Sequence, residues 1–296
     1  MINVIKKLNN HSQVVKIKQV IFVLPLLYFI VAGCQSKRVI YTPKGYNITK
    51  PEAIELGNKL REISGIYWIN ETTMLAQNDE SGKIFTINPK NLQDFNYPTV
   101  VFGEKNDYED VVQVDSSAYL LVSTGQIIQV PGYSRGGDVP GTLVASLQGT
   151  KNEFETMYYD KEINSIIMLC KSCHKEKDQI RTAFRYDVAA RKLIDTPYYT
   201  IDINVIRKKL DDNRAEFRPS AAAIHPLQNK LYIVSSIGKL LVITDKKGNV
   251  EQAMPISSIL FPQPEGMTFA ANGDMYISNE AGTEERATLL KFIYKP

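Results

Sequence analysis

The chain has 296 residues, of which 44% are hydrophobic and 23% charged, with 17 glycines and 14 prolines. This composition excludes a disordered chain, a collagen-like repeat and a polytopic membrane protein. The formal net charge of +3 would suit an acidic partner, and an odd count of three cysteines has to be explained residue by residue.

Residues 1–33 contain Lys6, Lys7, Lys16 and Lys18 and no Asp, Glu or Arg. An apolar run of 12 residues follows, from Val20 to Val31. At about 1.5 Å per residue it spans about 18 Å, short of a bilayer core of about 30 Å. A basic segment followed by a short apolar one has the pattern of a secretory signal peptide. The run ends in Val31-Ala32-Gly33-Cys34, which resembles the bacterial lipobox. That resemblance implies cleavage after residue 33 and a lipid on Cys34. Residues 34–46 are then the lipidated cysteine with a polar tether, and 47–296 the folded domain. The expected place is the bacterial envelope, with Gln35 favouring the outer membrane. Removing the four leader lysines from a net +3 leaves −1 for the mature chain. No nucleic-acid footprint remains. The expected partners are the membrane, through the lipid, and an unknown ligand or protein; a monomer is expected.

From residue 60 the chain repeats a polar residue in a short strand, a turn, and a strongly apolar strand. The units open at Ser64-Gly65-Ile66, Glu109-Asp110-Val111, Glu155-Thr156-Met157, Ser220-Ala221-Ala222 and Glu265-Gly266-Met267. The polar column Ser64, Glu109, Glu155, Ser220, Glu265 has spacings of 45, 46, 65 and 45 residues. About 45 residues is the length of one four-stranded propeller blade. The spacing predicts an all-β, five-bladed β-propeller, with six blades as the alternative if a unit hides in the long interval. That interval also predicts a short helix over Asp202–Leu210, capped by Asp202. The last unit is one strand short, and the segment near Ala53–Leu56 is expected to supply it, closing the ring.

These five motifs, in order and over about residues 50–294, resemble the SdiA-regulated family of bacterial β-propeller proteins. Asp110 and Thr156 stand where that family commonly has Gly. The resemblance implies the fold and leaves the activity open.

In a propeller the first strand of each blade lines the channel, so Glu109, Glu155 and Glu265 should converge at its mouth, with Ser64 and Ser220 between them. Converging carboxylates repel unless a cation, a proton or a basic ligand joins them. Two readings stay open: a latch onto neighbouring blades, or a metal site in which Glu109, Glu155 and Glu265 hold Ca²⁺. Asn78, Asp79, Asp110, Asn279 and Glu280 are further candidate oxygen donors. The expected function is non-enzymatic binding of a ligand or partner, with a cation as a candidate at the channel. The alternative is a metal-dependent hydrolase of lactonase or phosphodiesterase type using the carboxylates. A histidine base at the axis is not expected, since His225 closes a first strand and His174 lies in an insertion. Cys170-Lys171-Ser172-Cys173-His174 matches the haem-attachment pattern and gives a third reading, a c-type haem protein. In an exported protein a local Cys170–Cys173 disulfide is the favoured state.

Overall fold

A computed structural model describes residues 42–147, 151–174, 176 and 179–296. The expected signal peptide, the lipobox with Cys34 and the first part of the tether lie outside the described residues. Among the described residues, twenty-one strands form five blades, antiparallel but for one short edge strand. Blade 1 is β2 (Ile63–Asn70), β3 (Thr73–Asn78), β4 (Lys83–Ile87) and β5 (Thr99–Val101). The two-residue β9 (Gly137–Asp138) pairs in parallel with β5 and covers its edge. Blade 2 is β6 (Tyr108–Val114), β7 (Ser117–Val122), β8 (Gln126–Pro131) and β10 (Thr142–Ser146). Blade 3 is β11 (Glu153–Asp160), β12 (Ser165–Ser172), β13 (Ile180–Asp187) and β14 (Lys192–Asp202). Blade 4 is β15 (Pro219–Ile224), β16 (Leu231–Ser235), β17 (Leu240–Thr244) and β18 (Val250–Pro255). Blade 5 is β19 (Pro264–Phe269), β20 (Met275–Asn279), β21 (Thr288–Phe292) and, from the start of the domain, β1 (Glu52–Glu55).

The count is five, so the six-bladed alternative fails. The long interval is filled by long strands, with 11 residues in β14, and by α1 (Ile203–Leu210). Asp202 caps that helix by accepting from the Asn204 N–H at 2.8 Å, and Asp211 ends it in the left-handed region.

The strongly apolar second and third strands have a simple cause. Each blade is sandwiched between two others, so both of its faces are buried. In β12, Ile166 and Met168 enter the cluster against blade 2, whereas Ile167 and Leu169 enter the cluster against blade 4. In β17, Leu240 and Val242 face blade 3, and Leu241 and Ile243 face blade 5. Five apolar clusters thus fill the five seams between blades.

The first strands β2, β6, β11, β15 and β19 neighbour one another in a circle. They enclose a channel of about 120 Å³, lined by Tyr67, Val112, Met157, Ala222 and Met267 among others. Closure comes from β1, whose Ile54 stands opposite Leu289 of β21, and Leu56 continues the ladder by donating its N–H to Ala287 O at 2.9 Å. The expected tether runs to residue 46. Tyr46 is already buried among His225, Tyr232 and Tyr294.

Closure through β1 makes a measurable prediction. Leu56 is fully buried in the seam between blades 5 and 1. Leu56→Ala should cost about 2–5 kcal/mol in a denaturant titration. A chain starting after Glu55 should melt lower and self-associate in light scattering, because β21 becomes an open edge. Unchanged melting of that shortened chain would show that β1 does not close the ring.

Candidate functional site

All five polar-column residues occupy one local structure. In blade 1, Ile63 pairs with Asn78 and Gly65 with Gln77, so Ser64 has no partner across the ladder. The register skips in the same way at Glu109, between Tyr108 and Asp110. It skips at Glu155 between Phe154 and Thr156, at Ser220 between Pro219 and Ala221, and at Glu265 between Pro264 and Gly266. Each residue is the extra one of a β-bulge, which bends the strand and re-aims the side chain. The bulge recurs at the start of every inner strand, and that start is the mouth of the channel.

The serines and the glutamates then part company. Ser64 Oγ lies 2.7 Å from Gln77 Oε1 and 3.1 Å from the Tyr108 carbonyl of blade 2. Ser220 Oγ donates to the Pro264 carbonyl of blade 5 at 2.7 Å and accepts from the Ser236 N–H at 3.1 Å. Both hydroxyls are buried, and both join their blade to the next. Asp110 and Thr156, the residues after Glu109 and Glu155, join blades as well. The Asp110 carboxylate accepts from the Val111 N–H at 2.8 Å, the Met157 N–H at 2.9 Å and Thr156 Oγ at 3.2 Å. Asp110 and Thr156 therefore stitch blade 2 to blade 3, and Asp110 is not a mouth ligand. Gly65 makes room for it, since a Cβ there would lie 2.7 Å from Asp110 Cα. Burial pushes the Asp110 pKa up, and its three donors oppose that shift.

Glu109, Glu155 and Glu265 remain at the mouth, close enough to perturb one another's titration. Burial, then the charges of Glu155, Asp107 and Glu265, push Glu109 up to about 9. Burial, then Glu155 and Glu280, push Glu265 up to about 8. Burial also raises Glu155, against the opposing pull of Lys171. The ring is wider than the polar column alone. Glu280 is pushed up to about 8 by burial and by a hydrogen bond shared with Glu62. Asp79 is pushed up to about 6 by burial and by Glu62, Glu80 and Asp107. Asp79 Oδ1 and Asn279 Oδ1 are buried without a hydrogen-bond partner among the described residues.

A cation that no repeat or motif marks stands among these acids. Lys171 pairs with Glu155 and lies 2.7 Å from Glu153, with only 14% of its side chain exposed. Burial opposes its charge, yet Glu153 and Glu155 outweigh that and raise its pKa. It reaches this place through a second bulge: Cys170 opposes Phe154 and Ser172 opposes Glu153, leaving Lys171 as the extra residue of β12. Cys170 and Cys173 are joined by a disulfide, with Cα atoms 5.9 Å apart, so the loop carrying Lys171 is fastened on both sides. In that form neither sulfur is a thiol able to attach haem. His225 is buried at the far end of β15, its Nδ1 accepting from the Leu227 and Gln228 N–H groups, and burial lowers its pKa to about 4. It takes no part in the mouth.

Among the described residues, one group of His, Cys, Asp or Glu brings three ligand atoms within 4.8 Å of one another: Cys170, Cys173 and Glu176. Both sulfurs are spent on the disulfide. The mouth glutamates are set more widely, with an ammonium among them. Their oxygen chemistry suits a hard cation, whereas their spacing falls short of a closed coordination shell.

No family model matches the chain, and no curated protein matches it in sequence. Solved structures of the same shape do exist. A luciferin-regenerating enzyme superposes with a TM-score of 0.53 at 10% identity, over 82% of this chain and 95% of its own. Glutaminyl cyclase of Myxococcus xanthus superposes with 0.53 at 9%, over 83% and 96%. A glucose dehydrogenase gives 0.52 at 8%, over 81% and 99%. At such identities the likeness is one of fold.

Adjacent residues 109 and 110 should respond in opposite ways. Asp110→Ala strands the Met157 N–H and should cost about 1–3 kcal/mol. Glu109 is the reverse case. Its folded pKa of about 9 exceeds the ordinary 4.5, so the unfolded chain ionises first and stability falls as pH rises from about 4.5 to about 9. Glu109→Gln should therefore flatten that decline and raise the melting temperature at pH 9, with little change at pH 5. A parallel decline in wild type and Glu109→Gln would exclude a strained mouth carboxyl.

Proposed function

We propose that the chain is a membrane-anchored envelope lipoprotein whose propeller binds a cationic ligand at the mouth of its channel without turning it over. The anchor rests on the leader and on Val31-Ala32-Gly33-Cys34, with the lipid on Cys34 and the outer membrane favoured. No helix among the described residues is long and apolar enough to cross a membrane. Membership of the SdiA-regulated family is part of the same reading and rests on the order of the polar column.

One observation carries the binding reading: the charge of the mouth is unbalanced. Glu109, Glu155 and Glu265 converge with Glu153, Glu280, Glu62, Asp79 and Asp107 nearby. Lys171 and Lys239 answer them, with Arg61 3.4 Å from Glu62, and Lys239 is turned to the Pro262 carbonyl at 2.6 Å. Burial first, and then the neighbouring carboxylates, raise the glutamate pKa values, so these groups hold protons that a cation can displace. A ligand cation takes the place of those protons. Ca²⁺ is the natural probe, because carboxylate and carboxamide oxygens are its preferred donors. Glu109, Glu155 and Glu265 would hold it, with Asp79 and Asn279 contributing oxygens from the ends of the second strands.

Calorimetric titration with Ca²⁺ tests the reading. Glu109→Gln with Glu265→Gln should reduce affinity by about tenfold or more. Lys171→Met should increase affinity, because the built-in counter-ion is gone. Absence of Ca²⁺ binding in both wild type and Lys171→Met would overturn the cation reading. Turnover of a lactone or phosphodiester that depends on Glu109 would overturn its non-enzymatic part in favour of the hydrolase.

A further inference from the structure

Beside the acidic mouth lies a cavity of opposite charge. It has a volume of about 210 Å³ and is lined by Arg181, Arg207, Arg214 and Arg218, with Ile203, Phe217 and Glu216. The four arginines come from separate places in the chain: the start of β13, the last turn of α1, the loop after it, and the residue before β15. These are brought together because α1 and its loop bridge the outer strand of blade 3 to the inner strand of blade 4. They open on the end of the ring where the inner strands begin, which is the mouth face. Arg218 stands two residues before the column residue Ser220.

The cavity is built rather than incidental. Its floor is apolar and fully buried, with Ile203 and Phe217 each 1% exposed. Arg181 is 6% exposed and lies 3.8 Å from the Glu176 carboxylate. Arg207 is oriented by its Nε donating to the Ala215 carbonyl at 3.1 Å and one Nη donating to Asn204 Oδ1 at 3.3 Å. The loop carrying Arg214 is set by its N–H donating to Asp212 Oδ1 at 2.9 Å. The Arg218 N–H donates to Ser235 Oγ at 2.9 Å, and its Nε lies 3.7 Å from Glu216. Glu176 and Glu216 stand among these guanidiniums, and the Asp212 carboxylate lies at the backbone of Arg214.

We infer that this cavity is a binding site for a phosphate monoester. Guanidinium forks match phosphate oxygens bidentately, where a lysine offers only a point charge. Four guanidiniums around one cavity suit a doubly charged phosphoryl group better than a singly charged phosphodiester. At about 30 Å³ per water molecule, the cavity has room for about seven waters, hence for a phosphoryl group and the start of its organic stem. Ile203 and Phe217 would contact that stem. The site does not depend on the cation reading of the mouth. It adds a second, anionic anchor point for whatever ligand reaches this face.

The test is calorimetry on the full chain in detergent, at pH 8 and constant ionic strength, with inorganic phosphate, glycerol 3-phosphate and a short-chain phosphatidylglycerol as probes. Glycerol 3-phosphate should bind at least as tightly as inorganic phosphate, and the phosphodiester headgroup more weakly. Arg207→Gln with Arg214→Gln should weaken binding by about tenfold or more. Arg214→Gln alone touches no buried contact and guards against loss of fold. Glu216→Gln should tighten binding, an effect that general damage cannot imitate. Arg191→Gln, at the turn on the opposite end of blade 3, should change nothing. No phosphate binding, an equal loss in Arg191→Gln, or weaker binding in Glu216→Gln would each overturn the site. Preference for the phosphodiester would overturn the monoester assignment.

Discussion

Every blade of this protein must bury two faces. A sheet with apolar side chains on both sides is stable only between two others, and five such sheets satisfy one another by forming a ring. The alternation of Ile166 and Met168 with Ile167 and Leu169 is that requirement written into a single strand. Ring closure follows, since blade 5 would otherwise leave β21 as an open edge, and β1 is borrowed from the start of the domain to cover it. The narrow channel follows too. Five inner strands packed side by side leave about 120 Å³ between them, so side chains at their starting ends have to meet.

The bulge turns that crowding into two different outcomes. A bulged residue is freed from the ladder, so its side chain follows its own chemistry. A small hydroxyl at Ser64 or Ser220 reaches a neighbouring carbonyl and becomes a fastener between blades. A longer carboxylate at Glu109, Glu155 or Glu265 cannot be buried without a partner and reaches toward the axis. Where the column residue is a charge, the fastening falls to other groups. Blade 2 uses the next residue, Asp110, which grips the backbone of blade 3. One repeated backbone device therefore yields a latch at Ser64 and Ser220 and a ring of carboxylates at Glu109, Glu155 and Glu265, according to one residue per blade.

The fold was legible because its cause is periodic. Apolar runs in second strands, Gly turns and the 45-residue interval all come from blades stacking alike, and Ala53–Leu56 stood out as the strand that the last unit lacked. The convergence of the glutamates was legible for the same reason. Lys171 was not. It lies in a second strand, outside the column, and only a second bulge brings it to Glu155. Its one sequence signal is its place between Cys170 and Cys173, the two cysteines of the haem-attachment pattern. The division between Ser and Glu was equally hidden, because it depends on which neighbouring carbonyl a side chain can reach. The arginine cavity left no motif at all, since residues 181, 207, 214 and 218 meet only through the path of α1 across the mouth face.

That face carries an acidic ring and a basic cavity side by side, and the disulfide loop links them. Lys171 reaches the glutamates from within the Cys170–Cys173 loop. Glu176, just beyond the loop, accepts from the Cys173 N–H at 3.2 Å and from the Thr182 N–H, and lies against Arg181 of the cavity. Each of these charges sits close to one of opposite sign, which keeps the local cost of burial low. The acidic side chains gather where the five inner strands start, and the arginines where α1 crosses from blade 3 to blade 4, so one face carries both signs on separate elements.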